Sequence, residues 1–307
     1  MDKDIHQKYL LFNQDDLKWN MLVNSVGYQC VKPNESYPPS IHPPRYLFST
    51  DKGRVLDEYQ LIYITKGKGV FYSESLGRRN GVAVSEGAFF ILYPGEWHSY
   101  YPEAATGWDE YWIGFKGELA DRIMTSDNFF AKSSPVLSVG LHDDLIGLYR
   151  KAIEAALEQK SGYQQLLYGL VNHLLGAVCF YCRNVPFSTS RIMDIIVNAR
   201  DIIARKYRTI TPASLSDELN MGYSNFRKIF KAYTGFAPAQ YINEVKMSKA
   251  KEMLTNTSLP IKEIAANVGF DYFEYFFTVF KKKEGRTPTE YRYLTQGINI
   301  RQPQNEE

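Results

Sequence analysis

Cys179 and Cys182 stand in Cys-Phe-Tyr-Cys, the spacing of a thiol pair that could switch with redox state. The residues around them are apolar with helical periodicity, a setting in which cysteine serves as a small hydrophobe. Cys30 is far away in sequence, so three thiols make no disulfide framework. Metal-dependent catalysis in a small β-barrel needs clustered His and carboxylate ligands, commonly with two His close in sequence. The strand-rich part of this chain offers only His42 and His98, with no His-x-His. His6, His142 and His173 lack companions at ligand or catalytic spacing. No Ser/His/Asp order, phosphate-binding glycine loop or paired carboxylates is present. Neither catalytic residues nor a metal or cofactor are therefore expected, and the remaining chemistry is recognition.

The elements that would position a recognition site fall into two textures. Residues 55–115 read as strands and turns: Val55–Thr65 is rich in β-branched and aromatic residues, Lys66–Gly69 reads as a turn into Val70–Ser73, and Gly77–Gly81 closes a hairpin. Close strand spacing suggests a small β-barrel or sandwich. From Leu141 apolar residues recur at three and four, through Leu145, Leu148, Ile153 and Leu157, then Leu166, Leu167, Leu170, Leu174 and Val178. These predict two amphipathic helices broken at Ser161-Gly162. Asn184–Ser190 is a Pro- and Ser-bearing linker, a helix over Arg191–Arg208 opens the C-terminal part, and Thr211-Pro212-x-Ser214 starts another.

The C-terminal part repeats itself. Phe226, Phe230, Lys231, Gly235, Pro238 and Tyr241 recur 50 residues later as Phe276, Phe280, Lys281, Gly285, Pro288 and Tyr291. Leu215, Leu219 and Met221 answer to Ile264, Val268 and Phe270 at an offset of 49, so the second turn is one residue longer. Two copies are too few for a solenoid. Each reads as a helix-turn-helix unit: a short first helix, a tight turn at Asn220–Gly222 or Gly269–Asp271, and a second helix. The second helix would bury Phe226, Ile229 and Phe230, or Tyr275, Phe276, Val279 and Phe280, leaving its other face for a DNA major groove. Pro238–Leu254 would form a strut of roughly 25 Å, at about 1.5 Å per residue. It could set two reading helices about one DNA turn apart, on the order of 34 Å.

Ile261–Arg292 (IKEIAANVGFDYFEYFFTVFKKKEGRTPTEYR) resembles the signature segment of the AraC/XylS transcription regulators, and Leu215–Ile242 fits the same pattern. The resemblance covers about 100 C-terminal residues and implies double-stranded promoter DNA as a partner. By resemblance, Ser224, Arg227 and Lys228 face bases and Lys231 lies near phosphate, with Lys281 as its counterpart in the second copy. Arg227 could pair bidentately with guanine; Lys228 stands where the family often has Arg. The second helix departs further, with Phe273, Glu274, Phe277 and Thr278 outward and Thr278 where Arg is common. Glu274 can accept from cytosine N4, and aromatic side chains can meet thymine methyls. Alternatively Phe273 and Phe277 pack against a neighbouring domain.

Tyr93–Phe115 (YPGEWHSYYPEAATGWDEYWIGF) is similar to the cupin-like effector-binding barrel of sugar-responsive members, over roughly residues 20–140. The resemblance places effector contacts on His98, Tyr100, Glu110 and Trp112, with Arg54 (or Arg45) as the cationic donor. An indole offers a flat apolar face to sugar C–H groups, while His, Tyr, Glu and Arg hydrogen-bond hydroxyls. Glu110 and Trp112, two apart on a strand, share a face. Trp97, Trp108, Tyr111 and Trp112 cannot all line one pocket. The expected effector is a mono- or oligosaccharide; the alternative is a regulator with no effector, controlled by dimerisation or a protein partner.

Together these readings imply an α+β two-domain chain. Residues 1–140 form an arm and a cupin-like barrel, 141–183 a helical dimerisation segment, 184–190 a linker, 191–295 a double helix-turn-helix domain and 296–307 a disordered tail. The resemblance further implies a homodimer and RNA polymerase as a partner. At 307 residues, 44% hydrophobic and 23% charged, the chain suits two soluble cores. Its net charge of +2 divides unevenly: from Ser188 onward there are 18 Lys and Arg against 13 Asp and Glu, and before it 18 against 21. The N-terminus carries no apolar signal core, and the stretch around Leu174–Cys182 falls short of a membrane span, so the cytoplasm is the expected compartment.

Overall fold

The computed structural model describes residues 5–39, 49–126, 128–184 and 190–297. Arg45, His42, residues 185–189 of the linker and 298–307 of the tail lie outside them. Two compact units divide at Val185/Pro186.

Among the described residues the first unit holds nine antiparallel strands: β1 (Ile5–Tyr9), β2 (Leu22–Val31), β3 (Arg54–Val55), β4 (Tyr59–Ser73), β5 (Val82–Ser85), β6 (Ala88–Leu92), β7 (Trp97–Pro102), β8 (Trp108–Lys116) and β9 (Val136–Ser138). Its helices are α1 (Gln14–Leu17), α2 (Glu118–Ser126), α3 (Asp143–Glu158) and α4 (Tyr163–Asn184). One sheet runs β1-β2-β8-β4-β6-β9, and β3, β7 and β5 form the other around the far half of β4. Strand β4 therefore belongs to both. Lys66–Gly69 is not the turn expected from its glycines. The ladder with β8 shifts register between Ile64 and Lys66, and Gly67 has φ 81° with no room for a Cβ, which would fall 2.2 Å from the Gly107 carbonyl oxygen. A bulge with a left-handed glycine bends a continuous strand from one sheet into the next.

The sheet is buried on both sides. Its inner face carries Val31, Ile62, Ile64, Phe71, Phe90, Leu92, Tyr100, Trp108 and Trp112. Its outer face carries Leu61, Tyr63, Phe89, Tyr111, Ile113 and Phe115, roofed by Leu145 and Tyr149 of α3 and Leu167, Leu174 and Val178 of α4. Strand β2, unrecognised in the sequence, is almost wholly buried; a strand covered on both faces loses the polar-apolar alternation that marks a half-buried one. A bulge at Val23/Ser25 interrupts it. The Gln164 side chain of α4 answers there, accepting from the Val23 N–H at 3.1 Å and donating to its carbonyl at 3.0 Å.

Helix α4 is longer and more apolar than the sequence reading allowed: it spans 22 residues and contains an 18-residue window of mean hydropathy 1.3, enough by length and composition to cross a membrane. One face is nevertheless packed into the protein core through Leu167, Leu170, Val171, Leu174, Leu175 and Val178.

The second unit comprises α5 (Ser190–Lys206), α6 (Pro212–Glu218), α7 (Tyr223–Thr234), α8 (Pro238–Asn256), α9 (Ile261–Asn267), α10 (Phe273–Glu284) and α11 (Pro288–Thr295). Thr211 and Ser214 close a capping box on α6, and Thr287 and Glu290 close one on α11. Gly235 and Gly285, both left-handed, end α7 and α10, and Pro238 and Pro288 each start the next helix. Two separate cores result. Ile196, Ile203, Leu215, Phe226, Phe230 and Ile242 form one; Met247, Leu254, Ile264, Val268, Phe276 and Phe280 form the other. Helix α8 serves both, with Ile242 from its first half and Met247, Ala250 and Leu254 from its second. It closes the first helix-turn-helix as α11 closes the second, and backs the second helix-turn-helix as α5 backs the first.

Candidate functional site

Register decides what enters the barrel. Trp112 of β8 lies opposite Gly27 and Ile62, and Glu110 opposite Gln29 and Ile64. Tyr100 and His98 of β7 lie opposite Phe71 and Ser73, and Arg54 of β3 opposite His98. All five expected effector residues are thus brought together by the strands around one interior. Tyr111, between Glu110 and Trp112, turns outward beneath α3. Trp97 is elsewhere too, its indole N–H donating to the Lys52 carbonyl at 2.8 Å.

The inner polar groups form a chain. Arg54 Nη2 donates to the Tyr100 hydroxyl at 2.8 Å, and Arg54 Nε to His98 Nε2 at 3.3 Å. The Tyr37 hydroxyl bonds Tyr100 and donates to Glu110 Oε1 at 3.1 Å. Gln29 Nε2 donates to that same oxygen at 3.1 Å. His98 has both ring nitrogens engaged, because Nδ1 lies 3.1 Å from the Glu96 carbonyl oxygen. That carbonyl can only accept, so Nδ1 carries the proton and Nε2 receives Arg54. His98 is consequently a positioning residue for the guanidinium. Tyr37 and Gln29 were not foreseen; strand pairing, which places Gln29 against Glu110, is the signal that finds the second.

Trp112 is 7% exposed and its six-membered ring lies across Gly27, where a Cβ would fall 2.3 Å from the ring. The interior can therefore offer an indole surface beside directional donors and acceptors.

Burial pushes the Glu110 carboxyl up to about 8, against the pull of the Tyr37 hydroxyl and the Arg54 charge. Burial and then Arg54 press His98 down to about 3, against the Glu96 carbonyl. Glu110 binds a proton in the native state that the unfolded chain, at its ordinary 4.5, has released. Its contribution to stability is complete below 4.5 and lost as pH rises through 8. His98 has the opposite sign: its contribution is complete above 6.5 and lost as pH falls toward 3. The two oppose each other between 4.5 and 6.5, and only Glu110 acts from 6.5 to 8. Wild type should lose about 1–2 kcal/mol relative to Glu110→Gln over that upper window. Parallel Tm curves for the two proteins from pH 6.5 to 8 would contradict it.

On the second unit, Ser224, Arg227, Lys228 and Lys231 are all exposed on one face of α7, opposite Phe226 and Phe230. Asn225 is exposed beside them. On α10, Glu274, Thr278 and Lys281 occupy the equivalent exposed positions. The Thr278 hydroxyl donates to the Glu274 carbonyl at 2.8 Å, so its methyl is the group left to present. Phe273 is half-buried against the second unit's own core, and Phe277 lies against it with ring centroids 6.0 Å apart. Tyr275 does not enter the core as expected; it is 55% exposed, because Phe270 from the turn packs on Phe276 and fills that side. Tyr272, 73% exposed, adds a further aromatic at the helix start. Residues 219–222 join α6 to α7 and 268–272 join α9 to α10, which gives the second turn its extra residue. Among the described residues no group of three or more His, Cys, Asp or Glu could hold a metal. Burial pushes the Cys182 thiol up to about 11, the reverse of a reactive thiolate.

Comparison with known proteins agrees with this division. The profile of an AraC-like ligand binding domain matches residues 35–175, and that of a helix-turn-helix domain matches residues 215–293. The chain is 25% identical over 287 residues to the Msm operon regulatory protein of Streptococcus mutans, covering 92% of this chain and 96% of that one. It is 25% identical to the raffinose operon transcriptional regulatory protein of Pediococcus pentosaceus (81% and 89% covered). It is 28% identical to the arabinose operon regulatory protein of Salmonella typhimurium (80% and 87% covered).

Proposed function

Because the chain belongs to the AraC family of transcription regulators, we propose that it is a cytoplasmic, sugar-responsive activator of carbohydrate-utilisation genes rather than an enzyme. Relatives named for raffinose and arabinose operons support a carbohydrate effector. The observation that carries the reading is Trp112 lying across Gly27 beside the buried chain Arg54–Tyr100–Tyr37–Glu110. An apolar ring face edged by directional polar groups is complementary to a sugar's C–H face and hydroxyl rim. Arg54, Tyr100, Glu110 and Trp112 hold the effector, with His98 orienting Arg54.

Ser224, Arg227 and Lys228 read bases in one half-site and Lys231 and Lys281 bind phosphate. Glu274, Thr278 and the aromatic residues Phe273 and Phe277 give the second helix a different, methyl- and shape-directed reading. A homodimer is supported by the solvent side of α4, where Leu166, Gly169, His173, Gly176 and Phe180 recur at three and four without a carboxylate. RNA polymerase is the partner that an activator bound at a promoter would recruit.

Sugar binding alters which pair of half-sites the dimer spans. Gel shifts on direct repeats of varied spacing, with and without L-arabinose, D-xylose, lactose or raffinose, test this. The preferred spacing should change with one of them; identical preferences throughout would exclude the switch.

A further inference from the structure

Among the described residues, two polar groups on the inner face of the barrel have no hydrogen-bond partner. The indole Nε1 of Trp108 is buried with nothing to donate to, and so is the Ser73 hydroxyl. Trp108 is 1% exposed and Ser73 3%. Both sit on the inner face: Trp108 belongs to the inner cluster, and Ser73 stands opposite His98, two residues beyond inward-facing Phe71. They flank the polar chain. Trp108 lies against Tyr37 and Tyr100, with ring centroids 5.7 and 6.3 Å away. Ser73 lies at the His98–Arg54 end.

An unsatisfied buried donor is costly, and native proteins keep few of them. Where the groups around it already satisfy one another, as Arg54, Tyr100, Tyr37, Glu110 and Gln29 do, the exceptions mark where something else must supply the missing atoms. An indole N–H can only donate, whereas a serine hydroxyl can donate and accept.

We infer that Trp108 and Ser73 select the orientation of the effector, Trp108 by donating to a ligand oxygen at the Tyr37 end and Ser73 by bonding a second hydroxyl at the His98 end. The ligand class is a polyol that presents an acceptor oxygen at one edge and a hydroxyl at the other. This rests on the barrel's being a sugar site. It adds that the discriminating bonds come from two residues outside the chain of polar groups. A site built to bond a particular hydroxyl rejects the analogue lacking it far better than an apolar wall rejects an added one.

The test uses the full chain, thermal shift with L-arabinose, D-xylose, lactose and raffinose, and titration of the best responder and its monodeoxy analogues. Ser73→Ala removes its orphaned hydroxyl at little cost in shape, and Trp108→Phe removes the orphaned N–H together with part of a buried ring. Empty, Ser73→Ala should melt at the wild-type temperature or a few degrees higher, since an unmet polar group has gone, while Trp108→Phe should melt lower because of the space left behind. Loaded, each should bind the parent sugar roughly tenfold more weakly. Each should also lose discrimination against one deoxy analogue, a different one for each variant. A merely structural role would leave the order of analogues unchanged in both variants, and that result would overturn the inference. Wild-type ranking retained by Ser73→Ala would do so even were Trp108→Phe to misfold. If none of the four sugars shifts wild type, the sugar reading itself fails and this assignment falls with it.

Discussion

Arg227→Ala is expected to weaken binding to the preferred operator about 5- to 150-fold, the equivalent of about 1–3 kcal/mol for a bidentate base contact. Binding to operators altered at one base pair should hardly change. The side chain is exposed, and no ion pair engages it among the described residues. Phe226 and Phe230 lock the opposite face of α7 into the first core, and left-handed Gly235 ends the helix. The guanidinium therefore projects from a backbone whose position is fixed by the core. Lys231→Ala should behave differently. A phosphate contact carries no sequence information, so all sites should weaken alike and the salt slope should fall by about one. At the corresponding position of the second copy stands Phe277, which packs on Phe273, so α10 cannot replace the lost base contact. Titrations over a set of single-base operator variants at several salt concentrations separate the two; equal, sequence-independent losses for both substitutions would sink the assignment.

Gly27→Val should abolish the effector response while leaving DNA binding by the second unit intact. A Cβ at residue 27 would lie 2.3 to 2.8 Å from three atoms of the Trp112 ring. The indole must then leave its place among Ile62, Phe90 and Trp108, the inner residues it clusters with. Overpacking of this kind costs about 1–3 kcal/mol. Valine suits a strand otherwise, so the fold should survive at a lower Tm. Wild type warmed by a sugar and Gly27→Val unmoved by it, with both retaining operator affinity, is the expected pair of results. An unchanged sugar-induced shift in the variant would show that Trp112 is not part of the site.

The repeat of Phe, Gly and Pro made the second unit legible, because each of these residues has a local reason to be where it is. Gly235 and Gly285 stop a helix, Pro238 and Pro288 start one, and Phe226, Phe230, Phe276 and Phe280 are buried at helical spacing. Tyr275 was misplaced because helical spacing alone cannot tell that Phe270, from a turn one residue longer, takes the space beside Phe276. In the barrel, Glu110 and Trp112 shared a face by simple alternation. Lys66–Gly69 misled, since glycines that bend a strand between two sheets look like glycines that end it.

What the sequence determined by itself was local and periodic: two helix-turn-helix units, their caps, the break at Ser161-Gly162 and the shared face of Glu110 and Trp112. Only the tertiary structure decided which distant residues meet. Gln29 reaches Glu110, Tyr37 joins it to Tyr100, His98 spends both nitrogens on holding Arg54, and Trp108 and Ser73 are left unpaired. Helix spacing is written in consecutive residues. Strand register between segments some 80 residues apart is set by the packing of both sheet faces at once, and no stretch of sequence carries that information alone.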